Sequence, residues 1–135
     1  MTQEDKQLLL ADLCARLSYG VQCEVSGRRY GPYTFVGDDV EDLMEGRVFK
    51  PYLRPMSSMT EEEKEELSHL LPKDWSVEID KLNNFYFDMS PSIFMEIDVF
   101  LNIIDWLNAH HFDYRGLIEK GLAIAVTEEN NPYKE

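Results

Sequence analysis

Between Ser90-Pro91 and His110 the chain places Ile93, Ile97, Phe100, Ile104 and Leu107 at spacings of four and three, with Met95, Val99, Ile103 and Trp106 as a second row beside them. These are helical intervals, and proline suits a first turn, where N–H groups have no intrahelical partner. Asp98, Asn102 and Asp105 are left as a narrow polar stripe. A helix with so narrow a polar stripe must be covered around most of its circumference. The sequence therefore predicts a long buried C-terminal helix, with Phe100 and Ile104 among its core anchors, and requires other elements to enclose it. A chain of 135 residues has room for one such core and not for two ordinary domains.

The enclosing elements can be read from local signals. Thr2 followed by Asp5 is a capping box, and Leu9, Leu10, Leu13, Cys14 and Leu17 continue at helical spacing to Gly20. From Val21 the pattern alternates through VQCEV, turns at Ser26-Gly27 and resumes in the aromatic and β-branched run RRYGPYTFV, which reads as a hairpin. Gly31-Pro32 suggests a bulge or an edge in its second strand. VEDLMEG is open between a short helix and a strand, and RVFKPYL is extended again. Thr60 with Glu63 caps a second helix rich in glutamate, which stops before Pro72. Strands are expected around Trp75–Leu82 and in FYFDM, and Asp113 can cap a short final helix ending at Gly121. The expected fold is α+β: an N-terminal helix, a small antiparallel sheet of three to four strands from about Val21 to Leu53, an acidic helix and the long buried helix. Residues 1–126 form one globular domain, and 127–135 form a frayed polar tail.

Charge narrows the function classes. The net charge is -13, and residues 61–112 hold three basic against twelve acidic residues. That middle segment repels a phosphate backbone, so the expected partner is a basic protein rather than nucleic acid. No apolar run reaches the roughly 20 residues needed to cross a bilayer, and MTQEDKQ lacks the bases of a signal peptide, which together predict a cytoplasmic protein without a membrane partner. Cys14 and Cys23 read as small buried hydrophobes of a reducing compartment.

Three groups of residues are candidates for chemistry. His110, His111, Asp113 and His69 are the only histidines and their neighbouring acid, yet adjacent helical residues point about 100° apart and cannot clasp one ion. HExxH, CxxC, GxSxG and P-loop strings are absent, so no catalytic residue, cofactor or metal is predicted. Arg28, Arg29, Tyr30, Tyr33, Phe35, Arg47, Phe49, Lys50, Tyr52 and Arg54 interleave bases with aromatics, a pattern that could stack and neutralise a single strand of RNA or DNA. Asp38, Asp39, Glu41, Asp42 and Glu45 cancel those five bases within the same stretch. The acidic run Glu61, Glu62, Glu63, Glu65 and Glu66, continued by Asp74, Glu78 and Asp80, could face a basic protein or imitate phosphate spacing.

The runs VFKPYLRPMSSMTEEEKEEL and DWLNAHHFDYRGLIEKGLA, with the opening QEDKQLLLADLCARLSYGV, resemble a recurrent set of small acidic proteins of gut anaerobes and their phages. The similarity covers about half of the chain and stops in residues 72–104. It implies an accessory gene of a bacterial or phage genome and carries over no catalytic residue, substrate or cofactor. The leading expectation is a non-enzymatic interaction module that binds a basic partner through Glu62, Glu65 and Glu66. The alternatives are a single-strand nucleic-acid module using Arg28, Arg29, Tyr30, Lys50, Tyr52 and Arg54, and a small hydrolase with a carboxylate or histidine site.

Overall fold

The computed structural model describes residues 1–28, 30–71, 76–79, 85–88 and 97–133. Helix α1, Gln3–Ala15, starts on the Thr2 capping box: the Thr2 hydroxyl accepts from the Asp5 N–H, and the Asp5 carboxylate accepts from the Thr2 N–H. Strand β1, Gln22–Val25, follows, then β2, Tyr33–Thr34, helix α2, Asp39–Met44, and β3, Phe49–Leu53. Helix α3, Glu61–Ser68, carries the second capping box, made by Thr60 and Glu63. Strands β4, Ser76–Ile79, and β5, Phe85–Asp88, pair with each other antiparallel. Helix α4, Ile97–Ala109, and β6, Ile124–Ala125, complete the α+β fold.

The main sheet has the order β2-β1-β3-β6. Its first three strands are antiparallel, with Cys23 opposite both Tyr33 and Pro51, but β6 runs parallel to β3. The purely antiparallel expectation is corrected here. Parallel neighbours need a long crossover, and the α3 to α4 segment supplies one. β2 begins only after Pro32, so the proline stays out of the ladder. The open segment VEDLMEG resolves as helix α2, while 117–121 forms turns rather than the expected helix. Asp113 still acts as a cap, its carboxylate accepting from the Leu117 and Ile118 N–H groups.

Two apolar clusters make up the core. One joins Leu9 and Leu13 of α1 to Val21, Cys23, Val25, Phe35, Phe49, Leu53 and Leu117, with Phe35 and Phe49 edge to face at 5.4 Å. The other joins Met56, Met59 and Leu67 to Ile103, Leu107 and Phe112. Helix α4 is thus buried along one face, through Ile103, Leu107 and Asn108, and not around most of its circumference. Ile97, Phe100 and Leu101 are 76 %, 49 % and 53 % exposed. The first-row prediction fails at Phe100 although it shares a face with Ile103 and Leu107, because the buried seam begins only at Ile103, nearly one turn further along the helix. Its expected start at Ser90-Pro91, with Ile93 and Met95, lies outside the described residues. Cys14 is exposed and Cys23 buried, so only the second behaves as the small hydrophobe expected.

No helix among the described residues is long and apolar enough to cross a membrane. Residues 127–133, for which the sequence suggests a frayed tail, lie against the sheet through Tyr133. Since Leu107 is buried and Phe100 half-exposed, Leu107→Ala should cost about 2–5 kcal/mol in urea unfolding and Phe100→Ala less than about 2 kcal/mol. Equal losses would place Phe100 in the core.

Candidate functional site

The glutamates of α3 divide by helical geometry. Glu63 faces inward: Arg54 grips its carboxylate with two hydrogen bonds of 2.7 and 2.6 Å, and the Thr60 N–H donates to it. Burial raises the Glu63 carboxyl, but these partners outweigh it and hold the group down at about 2. Glu62, Glu65 and Glu66 turn outward, where with His69 and Leu70 they line one open hollow of about 520 Å³. The Trp106 indole N–H donates to Glu66 at 2.9 Å, so one rim carboxylate is fixed in place. His110 stacks on Trp106 at 4.0 Å and approaches the same carboxylate at 4.0 Å. Leu67 buried beneath and Arg54 at the first turn anchor the helix, so the acidic face is held rigidly. Of the proposed continuation, Asp74 and Asp80 lie outside the described residues, and Glu78 is placed in β4.

Of the basic-aromatic residues, Arg28, Tyr33 and Tyr52 line one hollow together with Glu24, and the other described ones do not join them there. Phe35 and Phe49 are core, while Arg28 lies over the Tyr33 ring at 5.1 Å and pairs with Asp39 at 3.5 Å. Arg47 pairs with Asp42 at 3.6 Å. Arg54 lies over Phe112 at 4.1 Å and is committed to Glu63. Lys50 stands opposite Glu24 in the ladder, and the Tyr52 carbonyl receives the Tyr133 hydroxyl. Tyr30 is exposed, and Arg29 lies outside the described residues. The cancellation of charge visible in sequence has become contact between side chains.

The histidines are separated as well. His69 ends α3, His110 belongs to the Trp106 stack, and His111 takes a left-handed backbone at φ 63° and stacks on Tyr133 at 3.6 Å. Burial, with the Arg16, His110 and Arg54 charges behind it, brings His111 down to about 4. Burial also pushes the Tyr133 phenol up. The Cys23 thiol rises to about 12 through burial and the charges of Asp39 and Asp12, which leaves it a thiol. Among the described residues no three His, Cys, Asp or Glu side chains group as metal ligands.

The sequence reading missed a buried charge cluster. Asp12 and Arg16, both 0 % exposed, lie one turn apart on α1 and meet at 2.8 Å. Arg16 also donates to the Phe112 carbonyl at 2.6 Å. Arg115 Nε lies 3.2 Å from the Asp12 carboxylate, near enough for an ion pair though not aligned for a hydrogen bond. Both guanidiniums stand about 5 Å from the Tyr114 ring, at 5.0 and 5.2 Å. Burial pushes the Asp12 carboxyl above its ordinary range, against the pull of Arg16 and Arg115. The signal was present: Asp12 and Arg16 share the face of Leu9 and Leu13 at i, i+4 spacing. With Asp12 and Arg16 wholly buried, this cluster acts as a structural pin. The chain matches no protein-family model, no curated protein and no solved structure.

Removing one partner leaves buried charge uncompensated, so Asp12→Ala should lose about 3–5 kcal/mol in urea unfolding. A loss below about 1 kcal/mol would show that water reaches the pair. For acid stability, the unfolded chain takes the His111 proton near 6.5 and the folded protein only near 4. Stability should therefore fall as pH drops through that window. Glu63, depressed from 4.5 to about 2, adds a second loss at lower pH. His111→Asn, which tolerates the left-handed backbone, should flatten the fall between pH 6.5 and 4 in urea midpoints. An unchanged slope would assign it to other groups.

Proposed function

We propose that the protein is a non-enzymatic interaction module, of bacterial or phage origin as the sequence resemblance implies, that binds a basic protein through the outer face of α3. The observation that carries this reading is the shared hollow of Glu62, Glu65 and Glu66, with Leu70 in its lining. Carboxylates around a partly apolar floor complement a lysine or arginine, whose aliphatic stem covers apolar surface while its head stays with the acids. The surrounding charge supports it. In a protein of net charge -13, exposed carboxylates steer a basic partner from a distance, which acts mainly on the rate of association. The nucleic-acid reading gains no support from a set of bases that is paired with acids or spread over separate surfaces. If the partner is itself a nucleic-acid-binding protein, duplex DNA will compete with this chain for it.

Replacing Glu62, Glu65 and Glu66 together by glutamine should slow association with a partner captured from the native host, or with a lysine- and arginine-rich peptide, by about tenfold at low salt. The salt dependence should flatten as well. Glutamine keeps an acceptor for the Trp106 indole, so stability should change by less than about 0.5 kcal/mol. Surface plasmon resonance at low and physiological salt measures both effects. An unchanged association rate would reduce the α3 face to a solvated surface.

A further inference from the structure

The antiparallel ladder between β1 and β3 ends one rung early. Its bonded positions recur every two residues, and Ser26 N–H donates to the Val48 carbonyl at 2.9 Å, which makes Gln22 with Tyr52 a bonded position too. Register pairing nevertheless stops at Cys23 with Pro51. The Tyr133 hydroxyl completes the rung, accepting from the Gln22 N–H at 3.0 Å and donating to the Tyr52 carbonyl at 2.7 Å. Its ring lies on His111, 3.6 Å between centroids and 9° from parallel. A donor, an acceptor and a flat aromatic face thus converge with the dimensions of one phenol. Phenylalanine would leave both strand groups unbonded, and serine or threonine would not reach them from the same backbone.

What holds Tyr133 there is slight. Val126 N–H, donating to the Leu53 carbonyl, is the last backbone bond to the sheet. Among the described residues, the other hydrogen bonds of 127–133 are local: Thr127 with Asn130, Asn130 with the Ala125 carbonyl, and Tyr133 N–H with Asn131. Glu128, Glu129 and Asn130 are exposed. Among the described residues the Tyr133 side chain thus makes the segment's only hydrogen bonds to β1 and β3, and segments held by so few bonds open at lower cost than the fold. Beside it an open cleft of about 550 Å³ is lined by Arg54, Ser58 and Val126 and by Thr127, Glu128 and Asn131 of the segment itself, so that when the segment lifts, the floor of Arg54, Ser58 and Val126 is left for residues flanking an aromatic anchor.

We propose that the slot formed by His111, Gln22 and Tyr52 is a recognition site for a tyrosine side chain, filled in cis by Tyr133 and opened to a tyrosine-bearing peptide of a partner when the C-terminal segment lifts. The tethered Tyr133 competes at an effective concentration in the millimolar range, so an incoming peptide must add contacts in the neighbouring cleft. The segment then acts as an internal competitor that sets a threshold for binding. This site is separate from the α3 face and stands or falls without it.

The test uses the full chain and the probe peptide NNPYKE, with NNPFKE as control. In Tyr133→Ala the slot is empty, so millimolar NNPYKE or 4-methylphenol should raise the melting temperature by several degrees, whereas NNPFKE and toluene should not. In the wild-type protein, NNPYKE at higher concentration should bring the 127–133 amides to sharp, unfolded positions. Stabilisation by toluene equal to that by 4-methylphenol would overturn the assignment of a phenol site. Wild-type amides of 127–133 that stay unmoved at peptide concentrations far above those saturating the alanine variant would show a permanent latch and overturn the exchange. Should Tyr133→Ala not fold, Tyr133→Phe keeps the stack and serves instead. Its Gln22 amide should exchange with solvent at least tenfold faster than in the wild type, and an unchanged rate would overturn the hydroxyl's role.

Discussion

Arg16 ties the two halves of the molecule together. Its guanidinium sits on the α1 side of the sheet, bound to Asp12, and reaches the Phe112 carbonyl at the end of α4, 96 residues later in the chain. An arginine cannot shed its proton, so the positive charge is permanent and its burial has to be matched. Asp12 matches it and is shared with Arg115, while Tyr114 offers its ring to both cations. Such a pair contributes little net stability compared with well-packed apolar side chains. It fixes an arrangement, because any shift of α1 against residues 112–115 strands a charge without a partner. Arg54 repeats the device at the edge of the sheet. Its backbone brackets Phe112, accepting from Asp113 N–H and donating to His111, while its side chain lies over the Phe112 ring and holds Glu63. Phe112 is thus clamped by one arginine on its carbonyl and another on its ring.

What could be read from the sequence was local. Thr2 with Asp5 and Thr60 with Glu63 announce helix starts because the groups that bond are three residues apart, and both boxes form. The β1–β3 hairpin region was legible for the same reason, since alternation shows directly which residues point inward. The parallel strand β6 was not, because two residues, Ile124 and Ala125, have no pattern of their own and pair with Tyr52 and Leu53 only after a crossover of about seventy residues. Helix α4 was legible in period and misjudged in coverage: apolar residues outnumber the places available on the α3 seam, and composition alone does not say which are left out. Cys14 was misjudged with it on α1, where the buried face runs through Leu9, Asp12 and Leu13 to the C-cap Arg16, while Leu17 does pack against the core. Tyr133 was out of reach, since both of its partners are more than eighty residues away.

The candidate surface shows how one short run of glutamates serves two ends. Successive helical residues turn by about 100°, so Glu63 falls on the inner side and Glu62, Glu65 and Glu66 on the outer. The inner one spends its charge on Arg54, a base that the sequence had offered to nucleic acid. That exchange bears on both readings at once: it removes Arg54 from any basic surface and stiffens the helix that presents the acids. Arg28 and Arg47 go the same way, each taken up by an aspartate of α2. Arg16, Arg28, Arg47 and Arg54 are paired with acids, whereas Glu62 and Glu65 of α3's outer face stay exposed and Glu66 is held by Trp106. A partner approaching the molecule therefore meets a field set by those carboxylates, and the rigid anchoring of α3 means that little conformational freedom is lost when they are engaged.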